Sequence, residues 1–292
     1  MNPPSWASRI WGTIGVFVLV FLATGAAMAV AAIGAVWWLG EDVLGGRTYA
    51  ETWTPALGCN VVGIAVRGPI VVSGDSLRAE DCVDGCPVVT ASDEVIEYLR
   101  TARENETIKG VLLDIESAGG YPVPSEEIAQ AVAGVGKPSV AWLRQVAASG
   151  AYWVASAADT VVASANSDVG SIGVSMSYLD YAAQNETDGL TFNSLASGKF
   201  KDSGSPDKEL TEEERALFER DITIMHDNFV SAIATNRNLP KETVSALADG
   251  STMLGAMAKE QGLVDQLGGQ TEAYAALEAA IGEKPVICWA GL

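Results

Sequence analysis

The stretch KGVLLDIESAGG, residues 109–120, decides the fold, because an apolar run leads there directly into two glycines. This pattern predicts a buried β-strand that ends in a tight turn. Similar apolar runs occur at 60–66 and 138–143, and helices are predicted between and after the runs, at 92–103, 152–158 and 272–281. Because strands that alternate with helices form mostly parallel sheets covered by helices, we predict an α/β fold.

The run at 138–143 leads to AASGAYW, residues 147–153, where small residues surround Ser149. A serine hydroxyl that attacks a carbonyl needs open space and a backbone N–H to bind the oxyanion. In parallel α/β sheets, function gathers at the carboxyl ends of strands, where both Ser149 and the glycines at 119 and 120 are expected. Ser149 is therefore either a nucleophile or part of a tight turn packed under the sheet.

A nucleophilic serine needs a proton acceptor, and the single histidine of the chain is His226. It lies among apolar residues of a predicted long helix that starts at Thr211, so we expect a core or helix-face residue and no Ser-His-Asp triad. A lysine can serve instead if burial or nearby positive charge lowers its pKa of about 10.4. Lys199 and Lys201 follow a predicted strand at 190–195. They are either an inward and a solvated lysine or two solvated loop charges.

Composition narrows the possible partners. The 292 residues include 18 basic and 37 acidic side chains, which gives a formal net charge of −19. This charge repels nucleic acid, so no nucleic-acid partner is expected. No metal or other cofactor is expected either, because the chain has 1 histidine and no second cysteine pair spaced like Cys82 and Cys86.

The N-terminal region predicts a membrane anchor. No charged residue occurs from Ile10 to Gly40, and at about 1.5 Å per helical residue this run exceeds a bilayer core of ~30 Å. A cleaved signal peptide is the alternative, but its apolar region is normally about 7 to 15 residues long. Arg9 before the run and acidic residues after it predict that the tail is cytoplasmic and the rest extracytoplasmic. The predicted parts are a cytoplasmic tail at 1–10, a transmembrane anchor at 11–39, a linker at 40–58 and one domain at 59–292.

The cysteines of the chain are Cys59, Cys82, Cys86 and Cys288. An extracytoplasmic location permits disulfides, and four cysteines allow three pairings that the sequence does not rank. A local bridge between Cys82 and Cys86 in a surface loop is the preferred interpretation.

An ordered set of motifs resembles the signal peptide peptidase A family of membrane-anchored serine proteases, peptidase family S49. The motifs are IESAGG (115–120), AASGAYW (147–153), GSIGV (170–174), SGKFKD (197–202) and GLVDQLGG (262–269). The resemblance implies one copy of a fold that looks like that of crotonase and the Clp protease, a superhelix of repeated β-β-α units with a parallel sheet. The family usually has proline where Ala118 stands and a second glycine where Ala151 stands.

The resemblance also implies a catalytic pair. Ser149 would be the nucleophile and Lys201 the general base, with Lys199 as a solvated neighbour. Ser171 would orient the lysine amine by a hydrogen bond.

Further features are implied by the resemblance alone. The backbone N–H groups of Gly119, Gly120 and Gly150 would form the oxyanion hole. In single-copy relatives the serine and the lysine come from adjacent protomers, so a homo-oligomeric ring with a shared active site is expected.

The predicted function is that of a membrane-anchored serine endopeptidase that cleaves remnant signal peptides or other extended apolar peptides outside the cytoplasmic membrane. Two alternatives remain. The altered positions Ala118 and Ala151 favour a weak or inactive protease-like membrane scaffold. The fold alone also allows an acyl-CoA enzyme of the crotonase type, although an extracytoplasmic location would separate it from its coenzyme.

Overall fold

The computed structural model describes residues 55–56, 58–74 and 88–291, and the structural statements below concern these residues. The predicted tail at 1–10, the anchor at 11–39 and nearly all of the linker lie outside them. Within the described ranges, no helix has both the length and the apolar character that a membrane span needs. The anchor therefore stays a prediction.

A mostly parallel sheet forms the centre of the domain, as the alternating apolar runs predict. The strands are β1 (Val61–Arg67), β2 (Ile70–Val71), β3 (Thr90–Ala91), β4 (Gly110–Ser117), β5 (Ser139–Ala148), β6 (Thr160–Ala163), β7 (Asp168–Gly170), β8 (Thr252–Leu254), β9 (Gln266–Leu267) and β10 (Ile287–Trp289). Their order across the main sheet is β10-β1-β4-β5-β6-β9, and all these pairs are parallel. β7 pairs with the end of β5, β8 runs antiparallel to β7, and β2 pairs with β3 in a separate small sheet.

Helices cover both faces of this sheet. They are α1 (Ser92–Glu104), α2 (Pro122–Ala133), α3 (Gly150–Ser156), α4 (Ala182–Thr187), α5 (Glu212–Asn236), α6 (Lys241–Leu247), α7 (Gly255–Glu260) and α8 (Gln270–Ile281). The larger apolar core lies between one face and α1, α2, α3 and α5, and a smaller core lies between the other face and α8. The predicted helices near 92–103, 211–236 and 272–281 are confirmed within two residues at each end.

Burial on both faces explains the continuous apolar run of β4. Val111, Leu112 and Leu113 have no solvent exposure. Leu113 packs in the larger core and Leu112 in the smaller one, as expected for alternate residues of a strand. A strand covered on both sides gains from apolar residues at every position, so the run does not alternate with polar residues.

Two boundaries near Ser149 differ from the prediction. β5 does not end at residue 143 but continues to Ala148, because its second half pairs with β7 after its first half has paired with β6. The exposed polar residues Arg144 and Gln145 hide this continuation in the sequence. The following helix starts at Gly150 and not at Tyr152, so the turn between strand and helix consists of Ser149.

The strand predicted at 190–195 is wrong. The structure has irregular backbone there, and Leu190, Phe192 and Leu195 are exposed. In the described chain no strand lies beside this segment to pair with it. Its apolar composition therefore does not reflect burial within the domain.

A disulfide joins Cys59 to Cys288, 229 residues apart in the sequence. It connects the start of β1 to β10, its neighbour at the sheet edge. The sequence did not rank this pairing. The bridge preferred there, between Cys82 and Cys86, lies outside the described residues and stays a prediction.

Candidate active site

Ser149 occupies a strained turn between β5 and α3. Its φ of 52° and ψ of −127° belong to a backbone region that L-residues rarely adopt. Such a conformation costs about 1 to 3 kcal/mol and persists where the surrounding structure enforces it. Two hydrogen bonds do so here: the Ser149 N–H donates to the Gly170 carbonyl at 2.8 Å, and the Ser149 carbonyl accepts from the Trp153 N–H at 3.0 Å.

Gly119 brings the glycine turn after β4 against Ser149. Its φ is 103°, and a Cβ at this position would lie 2.9 Å from the Ser149 Cβ and 2.8 Å from the Gly150 nitrogen. A side chain therefore does not fit there. The Gly119 N–H donates to the Ser117 hydroxyl at 3.0 Å, so it is not free to bind an oxyanion.

Gly120 presents its N–H on the side of Ser149. The residues on either side of Gly120 form hydrogen bonds with Ile70. The Ile70 N–H donates to the Gly119 carbonyl, and the Tyr121 N–H donates to the Ile70 carbonyl, each at 3.0 Å. In a parallel bridge of this kind, the N–H of the central residue points away from the partner strand. A Cβ on Gly150 would lie 3.3 Å from the Gly120 nitrogen, which shows how close these two residues are.

Gly150 supplies a second N–H. It is the first residue of α3, and the first N–H groups of a helix have no partner within it. Among the described residues no acceptor bonds the N–H of Gly120 or of Gly150. Of the three glycines predicted to form an oxyanion hole, the structure thus leaves these two free beside Ser149.

A pocket of ≈ 130 Å³ opens beside Ser149. Trp153 and Phe229 form one wall as a stacked pair with ring centroids 4.6 Å apart. Phe229 comes from α5, a helix that the sequence predicted without linking it to the site. The pocket is lined by Gly120, Pro122, Ser149, Gly150, Trp153, Gly173, Val174, Ser175 and Phe229.

Ser171 lies next to Ser149 across the β5–β7 ladder, in which Ala148 pairs with Gly170. Its φ of 49° is also unusual. The Ser171 hydroxyl donates to the Gly250 carbonyl at 2.9 Å, so in this single chain it does not bind a lysine amine.

The lysines of the SGKFKD motif lie in a turn away from the pocket. Lys199 pairs with Glu213 at 2.6 Å, and both side chains are exposed. Lys201 is exposed and is not among the residues that line the pocket beside Ser149. The structure thus brings Ser149, the glycines and Ser171 together within one chain and leaves Lys201 outside that group.

His226 plays no part in the pocket lining. A ring nitrogen, Nε2, lies 3.1 Å from the Ala248 carbonyl, which links α5 to the end of α6. This agrees with the structural role that the sequence predicted.

The motif GLVDQLGG contacts three elements of the domain: α3, β6 and the end of α5. The Tyr152 hydroxyl, fully buried in α3, donates to the Leu263 carbonyl at 2.8 Å. Burial raises the pKa of Tyr152, so this hydroxyl stays protonated and remains a donor. The Asp265 carboxylate accepts from the Val161 N–H at 2.7 Å and pairs with Arg237 at 2.6 Å. The Tyr152 bond thus attaches α3, which follows the turn at Ser149, to this motif, and Asp265 attaches the motif to β6 and to the end of α5.

A serine at a strained strand-to-helix turn, beside two free backbone N–H groups, is the arrangement found in enzymes that use serine as a nucleophile. Comparison with known proteins specifies the class further. Residues 132–284, just over half of the 292 residues, match the family model of peptidase family S49. The chain belongs to peptidase family S49.

Three similar proteins agree with this assignment. The "Putative signal peptide peptidase SppA" of Enterococcus faecium is 36% identical over 222 residues, 75% of this chain and 62% of that protein. Protease 4 of Haemophilus influenzae is 29% identical over 195 residues, 66% of this chain and 32% of that protein. "Serine protease SPPA, chloroplastic" of Arabidopsis thaliana is 30% identical over 213 residues, 72% of this chain and 30% of that protein. The matched part of the chain spans about three fifths of the first relative and about a third of the other two.

Proposed function

We propose that the protein is a membrane-anchored serine endopeptidase in which Ser149 is the nucleophile and Lys201 the general base. The observation that carries the proposal is the strained turn at Ser149 beside the free N–H groups of Gly120 and Gly150. Membership in a peptidase family supports the reaction type.

The proposed reaction starts with neutral Lys201. Its Nζ takes the proton of the Ser149 hydroxyl, and Oγ attacks the carbonyl carbon of the substrate. The N–H groups of Gly120 and Gly150 bind the oxyanion, a contribution of about 2.7 to 4 kcal/mol for each donor in related acyl transfers. The lysine ammonium then gives its proton to the leaving amine as the peptide bond breaks. A water molecule, deprotonated by Lys201, hydrolyses the acyl-enzyme in the same way.

The surrounding charges support Lys201 over its neighbours as the base. Lys199 pairs with Glu213, and Lys208 pairs with Glu214, whose hydrogen bond raises the pKa of Lys208. An adjacent carboxylate favours the charged ammonium, which is not a base. Lys201 has no acidic partner among the described residues.

A second copy of the chain would complete the site. Lys201 does not line the pocket of its own chain, so in the proposed ring an adjacent protomer supplies it. The segment 176–200 supports such a contact, because its large apolar side chains are exposed and would be covered by a neighbour. These side chains are Met176, Tyr178, Leu179, Tyr181, Leu190, Phe192, Leu195 and Phe200.

The proposed location is the extracytoplasmic side of the cell membrane, with the anchor at 11–39. The Cys59–Cys288 disulfide supports this location, since disulfides persist in oxidising compartments. The proposed substrates are remnant signal peptides or other extended apolar peptides. Tyr121 and Val123, exposed beside the glycine turn, offer apolar surface next to the pocket.

Activity of the full-length chain in detergent tests the proposal. A fluorogenic apolar peptide should be cleaved by the wild type, and Ser149→Ala or Lys201→Ala should abolish cleavage. Lys199→Ala is the matched control, from the same turn, and should retain activity. Full turnover in either of the first two variants would refute the dyad.

Mixing the two inactive variants tests the shared site. If serine and lysine come from different protomers, a mixture assembled from Ser149→Ala and Lys201→Ala chains should recover part of the activity. If both residues act within one chain, the mixture should stay inactive.

A weak or inactive scaffold is the second candidate function, because Ala118 and Ala151 replace residues usual in the family. The structure gives these changes little weight, since Ala118 is exposed and Ala151 is a fully buried small residue in α3. A fluorophosphonate probe separates the two functions: covalent labelling that depends on Ser149 supports the enzyme, and the absence of labelling supports the scaffold.

A further inference from the structure

A buried carboxylate lies at the start of α5, close to the turn that carries Lys201. Glu214 is 2% exposed. Its Oε2 atom completes the capping box of the helix by accepting from the N–H of Thr211 at 3.0 Å and from its hydroxyl at 3.1 Å. A capping box needs one carboxylate oxygen, so the second oxygen is available for another contact.

The second oxygen of Glu214 reaches the lysine turn. Its Oε1 accepts from the Lys208 amine at 2.5 Å and from the Ser203 hydroxyl at 3.2 Å. Lys208 also lies 3.5 Å from the carboxylate of Asp202. Asp202 and Ser203 follow Lys201 directly. Ser203 therefore bonds the helix itself, and Asp202 is linked to it through Lys208.

Hydrogen bonds stabilise the charged forms of the two carboxylates in this network, Glu214 and Asp202. The hydrogen bond from Lys208, and then the N–H of Thr211, hold the pKa of Glu214 at about 2. A hydrogen bond from Ser194 lowers the pKa of Asp202. Because a buried carboxylate without partners is strongly unfavourable, the lysine and the turn must stay in place for Glu214 to remain ionised.

Lys199, Phe200 and Lys201 are exposed. Their other contacts include the surface ion pair between Lys199 and Glu213 and short-range backbone bonds such as that from the Lys201 N–H to the Gly198 carbonyl at 3.1 Å. At the end of the turn, the Pro206 carbonyl accepts from the Tyr181 N–H at 2.7 Å. In the described chain, two polar contacts therefore join the turn to α5: a buried one through Glu214 and an exposed one between Lys199 and Glu213. Because exposed ion pairs contribute little, the buried contact is the one that positions the turn.

We infer that the network of Glu214, Lys208 and Asp202 is a positioning device for the general base. It fixes the Lys201 turn to the rigid start of α5, which fixes the point from which the lysine amine reaches a serine. The inference rests on the proposed function, because it assigns a role relative to Lys201. Glu214 and Lys208 are positioning residues and touch no substrate.

Glu214→Gln separates this role from helix capping. Glutamine satisfies the capping box through its carbonyl oxygen, but its NH₂ group cannot accept the hydrogen bonds of Lys208 and Ser203. We expect kcat to fall about ten- to a hundredfold with KM nearly unchanged, since a displacement near 1 Å can cost that much. Lys208→Met should have the same effect, and the double variant should lose no more than either single one, because both remove the same network.

Glu213→Gln is the matched control. Glu213 precedes Glu214 in the helix and also contacts the turn, through Lys199, but both side chains of this pair are exposed. Because exposed ion pairs contribute little, its loss should leave kcat nearly unchanged. Hydrogen exchange of the full-length chain provides a readout independent of activity: the amides of residues 199–205 should exchange faster in Glu214→Gln and not in the control.

The outcomes distinguish the two proposals. If Lys201→Ala is inactive but Glu214→Gln changes neither kcat nor exchange at 199–205, the positioning role is refuted and the dyad stands. If Glu214→Gln speeds exchange and leaves kcat unchanged, the network orders the turn without positioning a base, and the inference also fails. Full activity in Lys201→Ala would refute the base itself, which is detected without any Glu214 variant.

Discussion

At the scale of one residue, the backbone conformation of Ser149 is unfavourable for a serine but suits the proposed active site. A glycine would adopt its φ and ψ without strain, yet a glycine has no hydroxyl. The turn directs the serine side chain into the pocket and places the Gly150 N–H beside it. Ser149 thus sits where stability alone would favour a different residue.

Ser149→Gly should be inactive and more stable than the wild type by about 1 to 3 kcal/mol, because the strain of the turn is released. Chemical denaturation of the full-length chain measures the change. Asn238→Gly is the control, since Asn238 also has a positive φ, 51°, outside the site. It should be slightly stabilised and fully active. An unchanged or lowered stability in Ser149→Gly would show that the turn stores no strain.

Ser117 is a buried residue whose role the sequence did not reveal. Its hydroxyl donates to the Gly68 carbonyl at 2.6 Å and accepts from the Gly119 N–H at 3.0 Å. Ser117→Ala leaves the buried Gly119 N–H and the half-buried Gly68 carbonyl unpaired, so it should cost about 1 to 3 kcal/mol and also lower kcat by loosening the glycine turn.

Ser156→Ala provides the comparison for Ser117→Ala, because Ser156 is equally buried and its hydroxyl bonds the Trp153 carbonyl. It should lose stability without the same fall in kcat. Equal kinetic effects in the two variants would argue against a role of Ser117 in shaping the turn.

Helix α5 connects several parts of the molecule at the scale of elements. Its first turn contacts the lysine turn through Glu214, its middle lines the pocket through Phe229, and its end reaches Asp265 through Arg237. One helix therefore connects the turn that carries the proposed base with the wall of the nucleophile's pocket.

Acid should weaken the start of α5. The pKa of Glu214 is about 2 in the folded chain, below its usual value of 4.5, so its contribution to stability is complete above pH 4.5 and is lost as the pH falls towards 2. Glu214→Gln should lower the melting temperature at pH 6 and narrow its difference from the wild type at pH 3. Glu213→Gln should show neither change. A difference from the wild type that is independent of pH would contradict the shifted pKa.

The elements that the sequence predicted well are those with strong local patterns. β4 has a continuous apolar run, and α5 begins with Thr211 and Glu214, which cap it. The segment 190–195 misled the prediction because its apolar residues are exposed. The full length of β5 was not predictable, since its second half depends on pairing with β7.

For the candidate site, local sequence indicated Ser149, because small residues surround it, and placed Gly119 and Gly120 at the end of a strand. The roles predicted for the glycines, Ser171 and Lys201 came from the family resemblance. Local sequence did not indicate that Ser117 occupies the Gly119 N–H, nor that Phe229 forms a wall of the pocket. Both depend on contacts between elements that the sequence does not order in space.

At the scale of the whole molecule, the Cys59–Cys288 disulfide joins strands at one edge of the sheet. In the chain-entropy model, closing a loop of 229 residues stabilises the fold by up to about 5 kcal/mol. The variant with both Cys59→Ser and Cys288→Ser should unfold at lower denaturant concentration and, while folded, keep its kcat. Addition of a thiol reductant should shift the wild type towards the variant. Equal midpoints would show that the bridge contributes nothing.

The same bridge has a consequence for any cut within the chain. A single break of the backbone between residues 59 and 288, for example in the exposed segment 190–200, leaves both fragments covalently joined. A preparation that has clipped itself there would keep its full mass apart from one added water, and would migrate near the intact chain in a non-reducing gel. It would separate into two bands only after reduction of the disulfide. A purity check on a non-reducing gel would therefore not detect cleavage of the chain by itself.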